Sequence, residues 1–137
     1  NEIEIKKEEW ILENRIYRLL VLEKGIITRI LDLNLGIEIV DNVFGLISQF
    51  PNEEKFGLTS QLSRCSISIP SNIAEGSSRS NKSFSHFIDI ALGSSFELET
   101  QLIIAFRRHY ITQEQLTIIE EKLTEFQKMT MGFQNKL

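Results

Sequence analysis

Apolar residues recur at three- and four-residue spacing along four stretches of this chain, the pattern of amphipathic helices. The last stretch is the clearest. Leu116, Ile119, Leu123, Phe126, Thr130, Phe133 and Leu137 share one face, with Glu114, Glu120, Glu121, Lys122 and Glu125 on the wet side. Thr112-Gln113-Glu114-Gln115 before it fits a capping box. The stretch upstream runs through Phe84, Phe87, Ile88, Ala91, Leu92, Ser95, Leu98, Leu102, Ala105 and Phe106, with Ser80 or Asn81 as its cap. It holds a small-residue patch, Ala91, Gly93, Ser94 and Ser95. Glycine and serine weaken a mid-helix, so the patch is expected at a helix–helix contact.

The first half gives two more helices. Leu33, Ile37, Val40, Phe44 and Ile47 fall on one face, with Asp41 and Asn42 on the other. Phe50-Pro51 ends this helix, and Asn52 is expected to cap the next, with Glu53 and Glu54 in its first turn. That second helix carries Phe56, Leu58, Leu62, Cys65, Ile69 and Ile73 on its stripe and Pro70 within it. Proline has no N–H to offer the Ser66 carbonyl and costs about 3 kcal/mol in a helix interior. A kink at Pro70 is therefore expected, with the helix closing at Gly76 before a Ser-rich loop. Asn72 and Glu75, three apart, can share a face and fasten the bend. Asn72 would serve backbone groups that the proline frees, and Glu75 would pair with Arg79, Arg64 or a base of the third helix.

Four such helices with short connections predict an all-α fold, an antiparallel up-and-down four-helix bundle over residues 31–137. Residues 1–30 read as an N-terminal extension with a helix over roughly 5–24, which can pack on the bundle, extend its first helix or reach a neighbour. Ile26 to Ile30 suit a short strand or a helix start.

Composition narrows the function. The chain has 137 residues and a net charge of −4, which does not predict a strongly basic nucleic-acid surface. No apolar run approaches the ~20 residues of a membrane span, and no leader pattern is visible, so a cytoplasmic location is expected. The chain opens on Asn1, so a trimmed, processed or fragmentary chain is expected. One cysteine, Cys65, excludes an intrachain disulfide, and its place on the stripe makes it a small core residue.

The candidate chemistry is thin. No Glu-x-x-His pair is present, and His86 and His109 stand too far apart along one helix to share a metal. The serines lack a nucleophile elbow, and Gly76 and Gly93 stand alone rather than in a phosphate loop. Glu97 and Glu99, two apart on a helix, do not face each other as an acid–base pair. No catalytic, cofactor-binding or metal-ligating residue is expected, and so no enzyme. A superficial helix-turn-helix likeness over Ser68 to Leu92 fails on Pro70 and on the lack of base-reading cations. Candidate nucleic-acid contacts are Arg79 and Lys82 at one end of the third helix and Arg107 and Arg108 at the other. About 40 Å would separate these pairs.

Three ordered motifs carry a resemblance. They are Phe50-Pro51 with Glu54 to Leu62; Ser68-Ile69-Pro70-Ser71-Asn72-Ile73-Ala74-Glu75-Gly76; and Ile90 to Leu102 with Gly93, Glu97 and Glu99. Together with Gly36 to Val40 they resemble the bacterial four-helix-bundle proteins known from 23S ribosomal RNA intervening sequences. The likeness runs from Leu33 to Leu137, and residues 1–30 fall outside it. It implies a non-enzymatic bundle that assembles with itself, commonly as a homopentamer. A related group serves as accessory proteins of diversity-generating retroelements, where a basic pentamer engages reverse transcriptase and nucleic acid. The acidic balance here departs from that group. The resemblance thus implies a scaffold or weakly RNA-binding protein, or else a protein–protein module or reverse-transcriptase accessory with no direct RNA contact. It also marks Pro70, Asn72, Glu75, Gly76, Gly93, Glu97 and Glu99 as a structural signature.

Overall fold

The computed structural model describes residues 24–137, with side chains from Arg29 onward. The helix expected over roughly 5–24 lies, but for its last residue, outside them. Four α-helices make up the described chain: α1 (Lys24–Ile47), α2 (Leu58–Ser77), α3 (Asn81–Arg107) and α4 (Gln113–Gln134), with a 3-10 turn at Asn52–Glu54. Each packs on its neighbours in the cycle α1–α2–α3–α4, so α1 and α3 are diagonal. This is the expected antiparallel bundle. None of these helices is long and apolar enough to cross a membrane.

The core joins all four stripes. Leu62, Ile69 and Ile73 of α2, Phe84, Ile88, Leu98 and Leu102 of α3, and Ile119, Leu123 and Phe126 of α4 are fully or almost fully buried. The stripe expected on α1 is displaced. Ile37 and Phe44 are 46% and 42% exposed, while Asp32, Leu35, Ile39, Val43 and Leu46 face the core. α1 is apolar on more than one side, so periodicity alone could not choose, and packing on α2 and α4 decided the register.

The helix ends show where local chemistry was read well and where it was not. Thr112 closes the capping box: its Oγ1 accepts from Gln115 N at 3.1 Å, and Gln115 Oε1 accepts from Thr112 N at 2.9 Å. Ser80 caps α3 by accepting from Ser83 N. Asn52 does not cap α2. It opens the 3-10 turn, and the helix begins only at Leu58, whose N–H donates to Glu54 Oε2 at 3.2 Å. Phe56, placed by this turn ahead of the helix, is 90% exposed rather than on the stripe.

α3 ends in a Schellman motif, with Tyr110 N donating to Ala105 O and His109 N to Phe106 O. The left-handed residue is His109, at φ 64°, where glycine is usual. A non-glycine residue in that region costs about 1 kcal/mol. His109→Gly should therefore raise stability by about 0.5–1 kcal/mol in urea unfolding. Loss of stability would show that the His109 side chain makes a contact worth more than the strain.

Candidate functional site

The α2–α3 seam gathers much of the sequence signature. Pro70 lies inside α2, a single helix from Leu58 to Ser77, and is buried. A Cβ on Gly36 of α1 would lie 3.2 Å from Pro70 Cβ, so the missing side chain lets α1 rest on the proline ring. Asn72 Nδ2 donates to Ser68 O at 2.7 Å and to Ser68 Oγ at 3.0 Å. It therefore clamps the backbone beside the proline, not the Ser66 carbonyl that the proline leaves free. Glu75 pairs with Arg79 at 3.2 Å on the exposed surface.

Gly76 works differently from the expected helix stop. α2 runs one residue past it to Ser77, and it has no positive φ. A Cβ there would sit 2.6 Å from Phe87 Cβ and 2.8 Å from Phe84 Cδ1. Gly76 is bare because α3 crosses against it. The small patch of α3 splits in the same terms. Ala91 and Ser95 are fully buried and Ser94 meets α2, but a Cβ on Gly93 would have nothing within 4 Å.

Above this seam lies an open groove of about 470 Å³ lined by Gln61, Arg64, Cys65, Ser68, Ser94 and Glu97. Its groups are largely engaged with one another. The Cys65 thiol donates to Ser94 O at 3.1 Å, and the Ser68 and Ser94 hydroxyls are 2.9 Å apart. Gln101 donates to Glu97 at 3.2 Å and to Gln61 at 3.4 Å. Burial, aided by the Glu97 carboxylate, pushes the Cys65 thiol up to about 12. A thiol this hard to ionise is not a nucleophile near neutral pH. Glu99 is half-buried, and no hydrogen bond joins it to Glu97. Among the described residues, no group of three or more His, Cys, Asp and Glu is placed to hold a metal ion.

The candidate cations stay apart. Arg79 lies over the Phe87 ring at 5.4 Å besides pairing with Glu75. Lys82, Arg107 and Arg108 are exposed. Arg79 and Lys82 flank the start of α3 and Arg107 and Arg108 its end, on the order of 40 Å away. His86 is exposed and meets Phe87 edge-on at 5.9 Å.

Two polar clusters escaped sequence reading. Asp32 of α1 is 1% exposed, and its Oδ1 has no hydrogen-bond partner. One turn earlier Arg29 lies over Phe84 at 4.7 Å and Phe133 at 5.7 Å. Between α3 and α4, Gln127 donates to Ser95 at 3.3 Å and Gln134 to Asp89 at 2.7 Å. The spacing of Asp32 with Leu35, Ile39 and Val43 was the available sign that Asp32 faces inward.

The family model for the 23S rRNA-intervening sequence protein matches residues 33–132. No curated protein matches the chain in sequence. Among solved structures, a protein with unknown function from the S23 ribosomal protein family of Bacteroides thetaiotaomicron is similar. Its crystal structure aligns with a TM-score of 0.73 at 28% identity, over 79% of this chain and 98% of that one.

Proposed function

The chain belongs to the 23S rRNA-intervening sequence protein family, and on that premise we propose that it is a non-catalytic bundle that works by assembling with itself, as a homopentamer, into a scaffold. One observation carries this reading. Large apolar side chains stand exposed in helical register on two separate helices: Ile37 and Phe44 on α1, and Phe96 and Ile103 on α3. Large apolar side chains repeated along one exposed helix face favour an interaction site there. The inert thiol and the self-bonded groups of the α2–α3 groove support a structural role over a catalytic one. A cytoplasmic setting goes with this reading. Light scattering should give a mass several times that of one chain, and a monomer would overturn it.

A second reading rests on the exposed cations. Assembly repeats Arg79 and Lys82 around one rim and Arg107 and Arg108 around the other, and phosphate contacts add in such an array. The bundle then holds RNA weakly. Filter binding of a 23S rRNA fragment should fall as salt rises and be lost when all four residues become alanine. Retention that ignores salt or survives the substitutions would leave a protein partner, such as a nucleic-acid-processing enzyme, as the one served by the scaffold.

A further inference from the structure

Two charges line the groove above the α2–α3 seam without meeting. Arg64 of α2 and Glu97 of α3 are both exposed there, and no ion pair joins them. Arg64 has no hydrogen-bond partner among the described residues. Bonds between the helices fix where the two charges stand. Gln101 of α3 donates to Gln61 of α2 at 3.4 Å, and the Ser68 and Ser94 hydroxyls meet at 2.9 Å. Arg64 falls between Gln61 and Ser68 along α2, and Glu97 between Ser94 and Gln101 along α3. The groove therefore runs from an amide end to a hydroxyl end, about 10 Å apart by the rise of seven helical residues. The cation stands on one wall and the anion on the other.

Hydrogen-bonding capacity is left over along both walls. The Ser68 and Ser94 hydroxyls hold two hydrogens and share one bond, so one O–H remains to donate. Asn72 occupies only an acceptor position of Ser68. Gln61 accepts from Gln101 and keeps both of its own N–H groups. The buried Gln101 also donates to Glu97 at 3.2 Å, which holds the carboxylate in place before any ligand arrives. The Cys65 thiol is taken up by the Ser94 carbonyl and stays neutral.

Charge and shape narrow the ligand. One cation and one anion leave the lining without net charge, so Glu97 repels a phosphate that Arg64 would attract. Among the described residues no aromatic ring lines the groove to stack a base. A ligand that carries both charges satisfies both walls, and about 470 Å³ is the size of a small-molecule site.

We propose that this groove binds a free α-amino acid with a polar side chain, of the size of glutamine. Arg64 and Gln61, one turn apart on α2, donate to its carboxylate, and Glu97 accepts from its ammonium. The spare hydroxyl hydrogen of the Ser68–Ser94 pair goes to an acceptor on its side chain. The site lies within a single chain, so the mass of the protein in solution bears on the self-assembly reading and not on this one.

NMR titration of the isotope-labelled full chain with L-glutamine tests the site. Amide signals of Gln61 to Ser68 and of Ser94 to Gln101 should shift and saturate. Glutaramate lacks the ammonium and the α-amide of glutamine lacks the carboxylate; each should bind about tenfold more weakly or worse. Arg64→Ala and Glu97→Gln should each raise the dissociation constant by about tenfold or more, with helicity by circular dichroism unchanged. No saturable shift at millimolar L-glutamine overturns the proposal. Equal binding of either analogue overturns it as well, as does binding that survives both substitutions. Should Glu97→Gln lose helicity, the two analogues still decide the matter on the unaltered protein.

Discussion

Gly76→Ala is expected to destabilise the protein by about 1–3 kcal/mol, against the usual gain from replacing a helical glycine. Alanine is preferred over glycine in a helix by about 1 kcal/mol, so a position with free space should respond in the opposite sense. At Gly76 the new methyl would arrive 2.6 Å from Phe87 Cβ and 2.8 Å from Phe84 Cδ1. Neither neighbour yields easily. The first atom is anchored to the α3 backbone, and the Phe84 ring is 1% exposed, with Phe133 at 5.6 Å. α2 and α3 must therefore separate or the Phe84 ring must leave its place. Gly93→Ala is the internal control: it is also helical, in the middle of α3, but has nothing within 4 Å, and should gain up to about 1 kcal/mol. Urea midpoints of the two variants decide the matter. Both moving in the same direction would remove the close-approach account of Gly76.

Asp32→Asn is expected to stabilise the protein at pH 8 by about 2 kcal/mol and to change it little at pH 4. Burial raises the Asp32 carboxyl from 3.8 to about 7, the Thr130 hydroxyl opposing the rise. The folded chain therefore keeps a proton that the unfolded chain gives up above about pH 4. Stability is greatest below the unfolded value, falls as pH rises through the folded one, and levels off beyond it. Arg29, a turn away on α1, forms no ion pair with Asp32 or with any other described residue; its guanidinium lies over the rings of Phe84 from α3 and Phe133 from α4. No charged side chain of α2, α3 or α4 is among the causes of the shift, and Thr130 is the polar group that α4 turns toward the carboxyl. Asparagine keeps the shape without the charge. Urea unfolding of both proteins at the two pH values isolates the effect as their difference, and a difference that does not change with pH would sink it.

Where one face was apolar and the other charged, the sequence was a sufficient guide. α4 is the plain case, with Leu116, Ile119, Leu123, Phe126, Thr130 and Phe133 all buried and its capping box closed. α1 is the opposite case. With Leu33, Ile37, Val40 and Phe44 competing against Leu35, Ile39, Val43 and Leu46, the choice depended on neighbours absent from the local pattern. The misplaced stripe is informative, because a second apolar face is what the proposed self-assembly would require. Gly76 was recognised as special, but as a helix stop rather than for proximity to Phe84 and Phe87. Those residues are close in sequence number, yet only the return path of α3 makes them neighbours. Cys65 was correctly placed on the buried stripe, whereas its bond to Ser94 spans two helices and had no local sign.

The hydrogen bonds from Gln127 to Ser95 and from Gln134 to Ser85 and Asp89 act as pegs in a keyed joint. A greasy stripe of leucine and isoleucine looks much the same after sliding by one turn, so it grips without indexing. Polar pegs do not tolerate the slide: Gln127 and Ser95, both buried, would be left in an apolar wall without a mate, while Gln134 would lose its partners nearer the surface. The bundle can therefore exchange many of its core side chains for others of similar size and still find its alignment. Its alignment is far less tolerant of losing a few amides and hydroxyls that add little bulk.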